Sequence, residues 1–283
     1  MRVLPFVKYS PCGNTTILIR DTPLVPAARA RCAAEIIAPG HLEGEQAGFI
    51  DLAAHVPRLD MMGGEFCVNA TRAFAVELLR EGRLAPEGEG VFSGVVSVSG
   101  MPEQLRVKVR PLAVNRFESA ALLDLPVEPP LEEVGEGIRL VRVPGIAHLV
   151  LDAHVHALPG DKNRDTAALF ARYGLLAEEA AGCIWLHRDA EGWRITPYVW
   201  VRETGTTYAE TACGSGTLAA SVVCRAVHGC SGSLSFRQPG GESLAVVPAP
   251  SAHGGWAAWV EGPVRLLACG EVFAESLDET QPA

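Results

Sequence analysis

At 283 residues and 48% hydrophobic composition the chain can bury a large core, and its length predicts two lobes. A formal charge of −9 with no basic run argues against nucleic acid or an anionic membrane surface as the main partner and favours a small molecule. Residues 1–10 hold no basic stretch followed by an apolar one, and no apolar run approaches ~18 residues, so the expectation is a soluble, cytoplasmic protein. The eight cysteines (Cys12, Cys32, Cys67, Cys183, Cys213, Cys224, Cys230 and Cys269) include no CxxC pair, and in that compartment they are expected to be reduced and mostly buried. Lysine stands only at Lys8, Lys108 and Lys162, in stretches that read as strand or turn. Few residues could therefore form a Schiff base with pyridoxal phosphate, and no cofactor is expected.

In chain order, strands at 3–9 and 15–21 flank Ser10-Pro11-Cys12-Gly13-Asn14, a turn by its Pro, Gly and Asn. A helix over 27–38 places Ala30, Ala33, Ala34 and Ile37 on one stripe and stops at Pro39-Gly40. A strand at 46–52 leads through a loop to Glu65-Phe66-Cys67-Val68-Asn69-Ala70, where Asn69 reads as the N-cap of a helix over 69–80. Residues 91–124 alternate with period two, as antiparallel strands do, and put Arg106, Lys108 and Arg110 on one face. The proline- and glutamate-rich stretch 126–137 reads as a linker. It sets an N-terminal lobe at 1–125 and a C-terminal lobe at 135–263, with a strand near 264–274 a candidate to return to the first.

The second half repeats the plan, with strands at 138–143 and 148–157, a helix at 164–173, and strands at 183–187 and 193–201. Then comes Thr211-Ala212-Cys213-Gly214-Ser215-Gly216-Thr217, opening a helix over 215–227 that ends at Gly229. In Gln238-Pro239-Gly240-Gly241 the proline suits the second position of a hairpin turn and Gly240 a positive φ at the third. The acidic tail beyond Ala274 is expected to fray. His148, Asp152, His154 and His156 alternate with Leu149, Leu151, Ala153 and Val155, and a solvated strand face is preferred to a metal site because no Cys or carboxylate partner has the spacing of a known one. Strands and helices mixed without strict alternation give an α+β fold class. The expectation is two similar lobes, each an antiparallel β-sheet or barrel around a central helix, with the active site in the cleft between them.

Both cysteine motifs set a thiol before small or polar residues that open an apolar helix. The first turn of a helix leaves N–H groups unpaired and its dipole positive, so it favours a thiolate and can hold a carboxylate. Backbone N–H groups around Asn69 and Ala70, and around Gly214, Ser215 and Gly216, are therefore candidates to bind an amino acid's carboxylate.

Cys213-Gly214-Ser215-Gly216-Thr217, Glu65-Phe66-Cys67 with Asn69, the early Gly13-Asn14 and the late Pro239-Gly240-Gly241 resemble the diaminopimelate epimerase family over nearly the whole chain. Lys8-Tyr9-Ser10-Pro11, Glu45-Gln46 before Gly48-Phe49-Ile50, Asn69-Ala70-Thr71 and Glu210 before Cys213 are most similar to the histidine racemases of opine-metallophore biosynthesis. The resemblance implies that Cys67 and Cys213 exchange an α-proton across two faces of one carbon, as thiolate base and thiol acid. It also implies that Asn14 and Asn69 orient the substrate and that Glu45 and Glu210 meet the imidazole. A turn cap for Glu45 and an arginine pair for Glu210 are the plainer alternatives. Val68 stands where much of the family has glycine, and Ile146 falls where diaminopimelate epimerases hold an asparagine. The expected function is L/D-histidine racemisation. Diaminopimelate epimerisation, broad amino-acid racemisation and a catalytically silent amino-acid binder are the alternatives. A small-molecule amino acid is the expected partner, and a homodimer is left open.

Overall fold

The computed structural model describes residues 2–20, 24–202 and 205–277. Contact density divides the chain into two compact units, Met1–Ala121 with Pro263–Ala283, and Leu122–Gly262. No helix among the described residues is long and apolar enough to cross a membrane.

The first unit opens with β1 (Arg2–Pro11) and β2 (Thr16–Arg20), which pair antiparallel. Cys12 at φ 58° and Gly13 at φ 98° are the two central residues of their turn, and the Asn14 N–H donates to Pro11 O at 3.2 Å. Two left-handed central residues match the twist of a tight hairpin, here at the cost of placing a non-glycine residue in that region. Asp21, the last residue of the expected second strand, lies outside the described residues. Helix α1 (Pro26–Ile37) starts with proline in its first turn, where the missing N–H costs nothing. Its buried face is Ala28, Cys32, Ala33 and Ile36, not the expected alanine stripe, because small alanines do not fix a face and the bulk of Ile36 does.

Next come β3 (Gln46–Asp51), β4 (Arg58–Met61), α2 (Val68–Arg80), β5 (Ala85–Gly88), β6 (Val91–Val98), β7 (Leu105–Ala113) and β8 (Arg116–Leu125). The stretch holding β4 was expected as loop. Its strand is too short for periodicity to show and is held by pairing with β3 and β6. Every residue from Val68 to Leu78 is buried, so α2 is a core helix rather than an amphipathic one. Phe74 and Leu78 pack among Tyr9, Leu18, Val96 and Val107, each burial contributing roughly 1.5–3 kcal/mol. The buried Glu77 carboxylate is paired: Tyr9 donates to it at 2.5 Å, Arg80 at 2.7 Å, and Arg20 also. Unpaired, such a charge would cost several kcal/mol.

In the second unit β9 (Leu131–Gly135), β10 (Ile138–Val143) and β11 (Ile146–Asp152) run antiparallel. Five of the twelve residues of the expected linker are thus strand, held by pairs with Val141, Leu140 and Arg139 that local composition does not reveal. Helix α3 (Lys162–Arg172), capped by the Asp161 carboxylate, crosses to β12 (Ala180–Asp189), which pairs parallel to β11. Then follow β13 (Gly192–Val201), β14 (Thr206–Ala209), α4 (Gly214–His228), β15 (Leu234–Arg237), β16 (Ser243–Ala249) and β17 (Trp256–Ala274). Helix α4 is buried along Ala219, Ala220, Val222 and Val223, and it ends at Gly229, φ 64°. In the β15–β16 turn the Gly241 N–H donates to Gln238 O at 2.9 Å, and the positive φ falls on Gly241 rather than Gly240. Residues 264–274 of β17 pair with β1. Glu275–Leu277 does not fray: the Glu35 carboxylate accepts from the N–H groups of Glu275 and Ser276, and Leu277 is buried. The rest of the acidic tail lies outside the described residues.

The two units share one plan. Antiparallel β1–β2, a helix, a parallel β3, an antiparallel β4 and then α2 are matched by β10–β11, α3, β12, β13 and α4. The parallel pairs β2–β3, β4–β6, β11–β12 and β13–β15 make the sheets mixed, not purely antiparallel as expected. The class is α+β and sheet-dominated.

Candidate functional site

Cys67 is itself the N-cap of α2, with φ −129° and ψ 112°, and its sulfur accepts from the Ala70 N–H at 3.4 Å. Asn69, expected as the cap, is the second helical residue. The Thr71 hydroxyl closes the first turn by donating to Cys67 O at 2.8 Å. Val68 is buried and is not among the residues of positive φ, so its side chain imposes no backbone strain at the glycine-like position. Asn69 turns its Oδ1 to Arg72, which donates at 3.2 Å. That guanidinium is fully buried one turn into the helix and also donates to Ser119 O at 2.9 Å and to Pro263 O at 3.1 Å.

Asn14 and Glu45 reach Cys67 through Gln46. The thiol faces Gln46 Oε1 at 3.0 Å, and Gln46 Nε2 donates to Asn14 Oδ1 at 2.6 Å and to Thr16 Oγ1 at 2.8 Å. Asn14 Nδ2 donates to Glu45 Oε2 at 2.9 Å, and the Thr15 N–H donates to Glu45 Oε1 at 3.3 Å. Glu45 is therefore tied to the β1–β2 turn, as its plainer reading held, while staying exposed beside the cluster.

In the second unit Cys213 caps α4 in the same way, with φ −129° and ψ 109°, its sulfur accepting from the Gly216 N–H at 3.3 Å. Here too the threonine four residues on, Thr217, donates to the cysteine's carbonyl, at 2.6 Å. Gln238 Oε1 accepts from the Cys213 N–H at 3.0 Å, and its Nε2 donates to Thr217 Oγ1 at 3.0 Å. The Ser215 hydroxyl lies 3.5 Å from the sulfur and 3.0 Å from His148 Nε2. Burial pushes the Cys213 thiol well above its ordinary range, the Glu210 carboxylate adds to the rise, and Ser215 and Gly216 act against it. A Cβ on Gly216 would stand 2.6 Å from Ile184 Cδ1 and 3.1 Å from the sulfur, so glycine is needed there for space.

His148 does not lie on a solvated face. Strand β11 is buried on both faces because Ala147, Leu149 and Leu151 pack in a core with Phe170 of α3 and α4 also packs against the strand, while β10 and β12 pair with its edges, so alternation misleads. The ring is fully buried, pushed down to about 3 by that burial and hence neutral, and its Nδ1 has no hydrogen-bond partner among the described residues. His154 and His156 fall in the turn after the strand ends at Asp152. A cavity bordered by Asp152, His154, Val223, Val227 and His228 sits at the far end of α4, roughly 15 Å of helix from Cys213, and none of the residues around the two thiols lines it.

Gln46, Gln238, His148 and Arg72 thus join the site residues without having been assigned roles from sequence. The local signals were Gln46 directly after Glu45 and Gln238 directly before Pro239-Gly240-Gly241. Each cluster supplies a thiol, a helix start with N–H groups at Ala70 or Gly216, and a glutamine holding the thiol or its backbone. Such a set can bind an anion and move a proton.

The family model described as "Histidine racemase CntK N-terminal domain" matches residues 3–273. A histidine racemase of Fusobacterium nucleatum subsp. nucleatum is 29% identical over 282 residues, covering 96% of this chain and 97% of that protein. The PhzF-family phenazine biosynthesis protein of Bacillus anthracis shares the fold at TM-score 0.64 and 11% identity, over 96% of this chain and 100% of that one. A hydroxyproline epimerase from Agrobacterium vitis does so at 0.60 and 11%, over 96% and 92%.

Proposed function

Since the chain belongs to the histidine racemase family, we propose that it interconverts L- and D-histidine without a cofactor, using Cys67 and Cys213 as its acid and base. It is an amino-acid racemase, an isomerase. The observation that carries the mechanism is the duplicated cap: both thiols stand at the N-cap of the central helix of their unit, with matching backbone angles and matching N–H donors. A thiolate removes the α-proton, breaking Cα–H and leaving its electron pair on the carbon, and the other thiol delivers a proton to the opposite face. The α-carbon is very weakly acidic, so the first-turn N–H groups around Ala70 and around Gly214, Ser215 and Gly216 are assigned to the carboxylate, stabilising the charge that develops, while those of Ala70 and Gly216 themselves also face the sulfurs. Asn14 and Asn69 orient the substrate, and Glu45 and Glu210 accept from the imidazole ring or balance its charge. Ile146 offers no amide for a distal amine and carboxylate, which favours histidine over diaminopimelate. We read the units as the lobes of a diaminopimelate epimerase-like architecture.

Incubation with L-histidine and a panel of other amino acids in deuterium oxide tests this. Histidine should gain α-deuterium and appear as the D-enantiomer fastest of the panel. Epimerisation of diaminopimelate with no histidine turnover would refute it.

The high Cys213 pKa adds a pH prediction. In the free enzyme the group is a thiol at neutral pH, so kcat/KM for the enantiomer it deprotonates should rise with pH above neutral. Glu210→Gln removes the nearby charge and should move that rising limb to lower pH by about one unit or more. A limb that stays in place would show that Glu210 does not govern this thiol.

A further inference from the structure

Four side chains near the start of α2 make one hydrogen-bond chain whose direction can be deduced. An ionised carboxylate only accepts, so the Asn14 group 2.9 Å from Glu45 Oε2 is Nδ2. This leaves Asn14 Oδ1 facing Gln46 at 2.6 Å, so the Gln46 group there is Nε2, which the Thr16 hydroxyl at 2.8 Å also accommodates. Gln46 Oε1 is then the atom 3.0 Å from Cys67 Sγ. An amide oxygen has no proton to give, and Cys67 can make this bond only as an S–H donor. Asn14 is buried at 4% exposure, which keeps water from relaxing the chain at its centre. The Ala70 N–H, at 3.4 Å from the sulfur, favours the thiolate, but it is the longer contact.

From this geometry we infer that Gln46 is a positioning residue that holds Cys67 in its neutral thiol form, oriented through Asn14 by the Glu45 carboxylate. The inference rests on the reading of Cys67 as an acid–base group. Cys67 is then the resting proton donor, and the carbanion it meets forms once Cys213, also a thiol at neutral pH, has given its proton to solvent and taken the substrate's α-proton. As the substrate carbanion takes its proton, S–H breaks, Cα–H forms, and the electron pair stays on sulfur, where the Ala70 N–H meets it. The adjacent Gln46 oxygen makes that thiolate costly, and it drives Cys67 to recover a proton from the next substrate of the opposite hand. The chain also gives the tied position of Glu45 a purpose besides any contact with substrate.

The test needs no substrate. Full-length protein is alkylated with iodoacetamide across a pH series, and the modification of Cys67 is followed by peptide mass. Gln46→Ala removes the acceptor and should lower the Cys67 midpoint by about one pH unit, a roughly tenfold larger thiolate fraction at neutral pH. Gln46→Glu, of the same shape but ionised, should raise it. An unchanged midpoint in Gln46→Ala, or a rise, overturns the inference. If Gln46→Ala also exposes the buried Cys32 of the same unit to reagent it has lost its fold, and the decision passes to Gln46→Glu, whose failure to raise the midpoint is equally fatal. Because no turnover is read, these shifts can hold in a protein that proves not to racemise histidine, and they can fail in one that does.

Discussion

Replacing either Cys67 or Cys213 by serine is expected to abolish racemisation, with a fall of about a thousandfold or more, while leaving the fold intact. Both halves of that expectation come from the same geometry. Serine is among the best N-cap residues, so its hydroxyl can accept from the Ala70 or Gly216 N–H that now meets sulfur, and stability should hold or improve. Chemically the substitution is severe, because an alkoxide at neutral pH is far scarcer than a thiolate and a hydroxyl is a far weaker acid than a thiol. The cysteine that remains can still remove the α-proton of one enantiomer and return a solvent deuteron to the same face. Each variant should therefore wash deuterium into one enantiomer, a different one for each, without forming the other. Chiral chromatography with mass detection reads inversion and exchange in the same sample. Normal inversion by Cys213→Ser would end the two-base account, and loss of exchange for both enantiomers in both variants would mean that the thiols do not act independently.

The two cysteine motifs were legible because their information is local. A cysteine followed by Val68-Asn69-Ala70 or Gly214-Ser215-Gly216 and an apolar run marks a helix start whatever surrounds it. Even there the cap was misplaced by two residues at the first motif, since a thiol is a rare cap and Asn69 a common one. What stayed hidden depends on contacts across the chain. Gln238 looked like the opening of a turn and proves to hold the Cys213 N–H from 25 positions away. His148 was read by alternation as solvated, and the packing of α4 against β11, with Ser215 meeting the ring, buries it. Arg72 is another such case: its burial satisfies the carbonyls of Ser119 and Pro263, far along the chain, and no local pattern marks it. Strands β4 and β9 escaped for the same reason, each being too short to declare itself and stable only through its neighbours.

Substituting alanine at Gly216 should cut turnover by about a hundredfold while the protein still folds. The glycine's φ is not positive, so alanine's backbone preferences do not oppose it, and within a helix alanine gains up to about 1 kcal/mol over glycine. The obstacle is space. The new methyl would stand 2.6 Å from Ile184 Cδ1, the flexible end of a side chain that can swing aside, and 3.1 Å from Cys213 Sγ, which cannot move without leaving its position beside the Gly216 N–H. A displacement of the reacting atom by a fraction of an ångström to one ångström carries a rate penalty of about that size. The steric and catalytic parts can be separated by adding Ile184→Val, which deletes the Cδ1 atom. The double variant should recover any thermal stability lost by Gly216→Ala, as read by the unfolding midpoint, yet remain as slow, because the methyl still presses on the sulfur. Recovery of turnover together with stability would place the defect in the packing of α4 and not in the placement of the thiol.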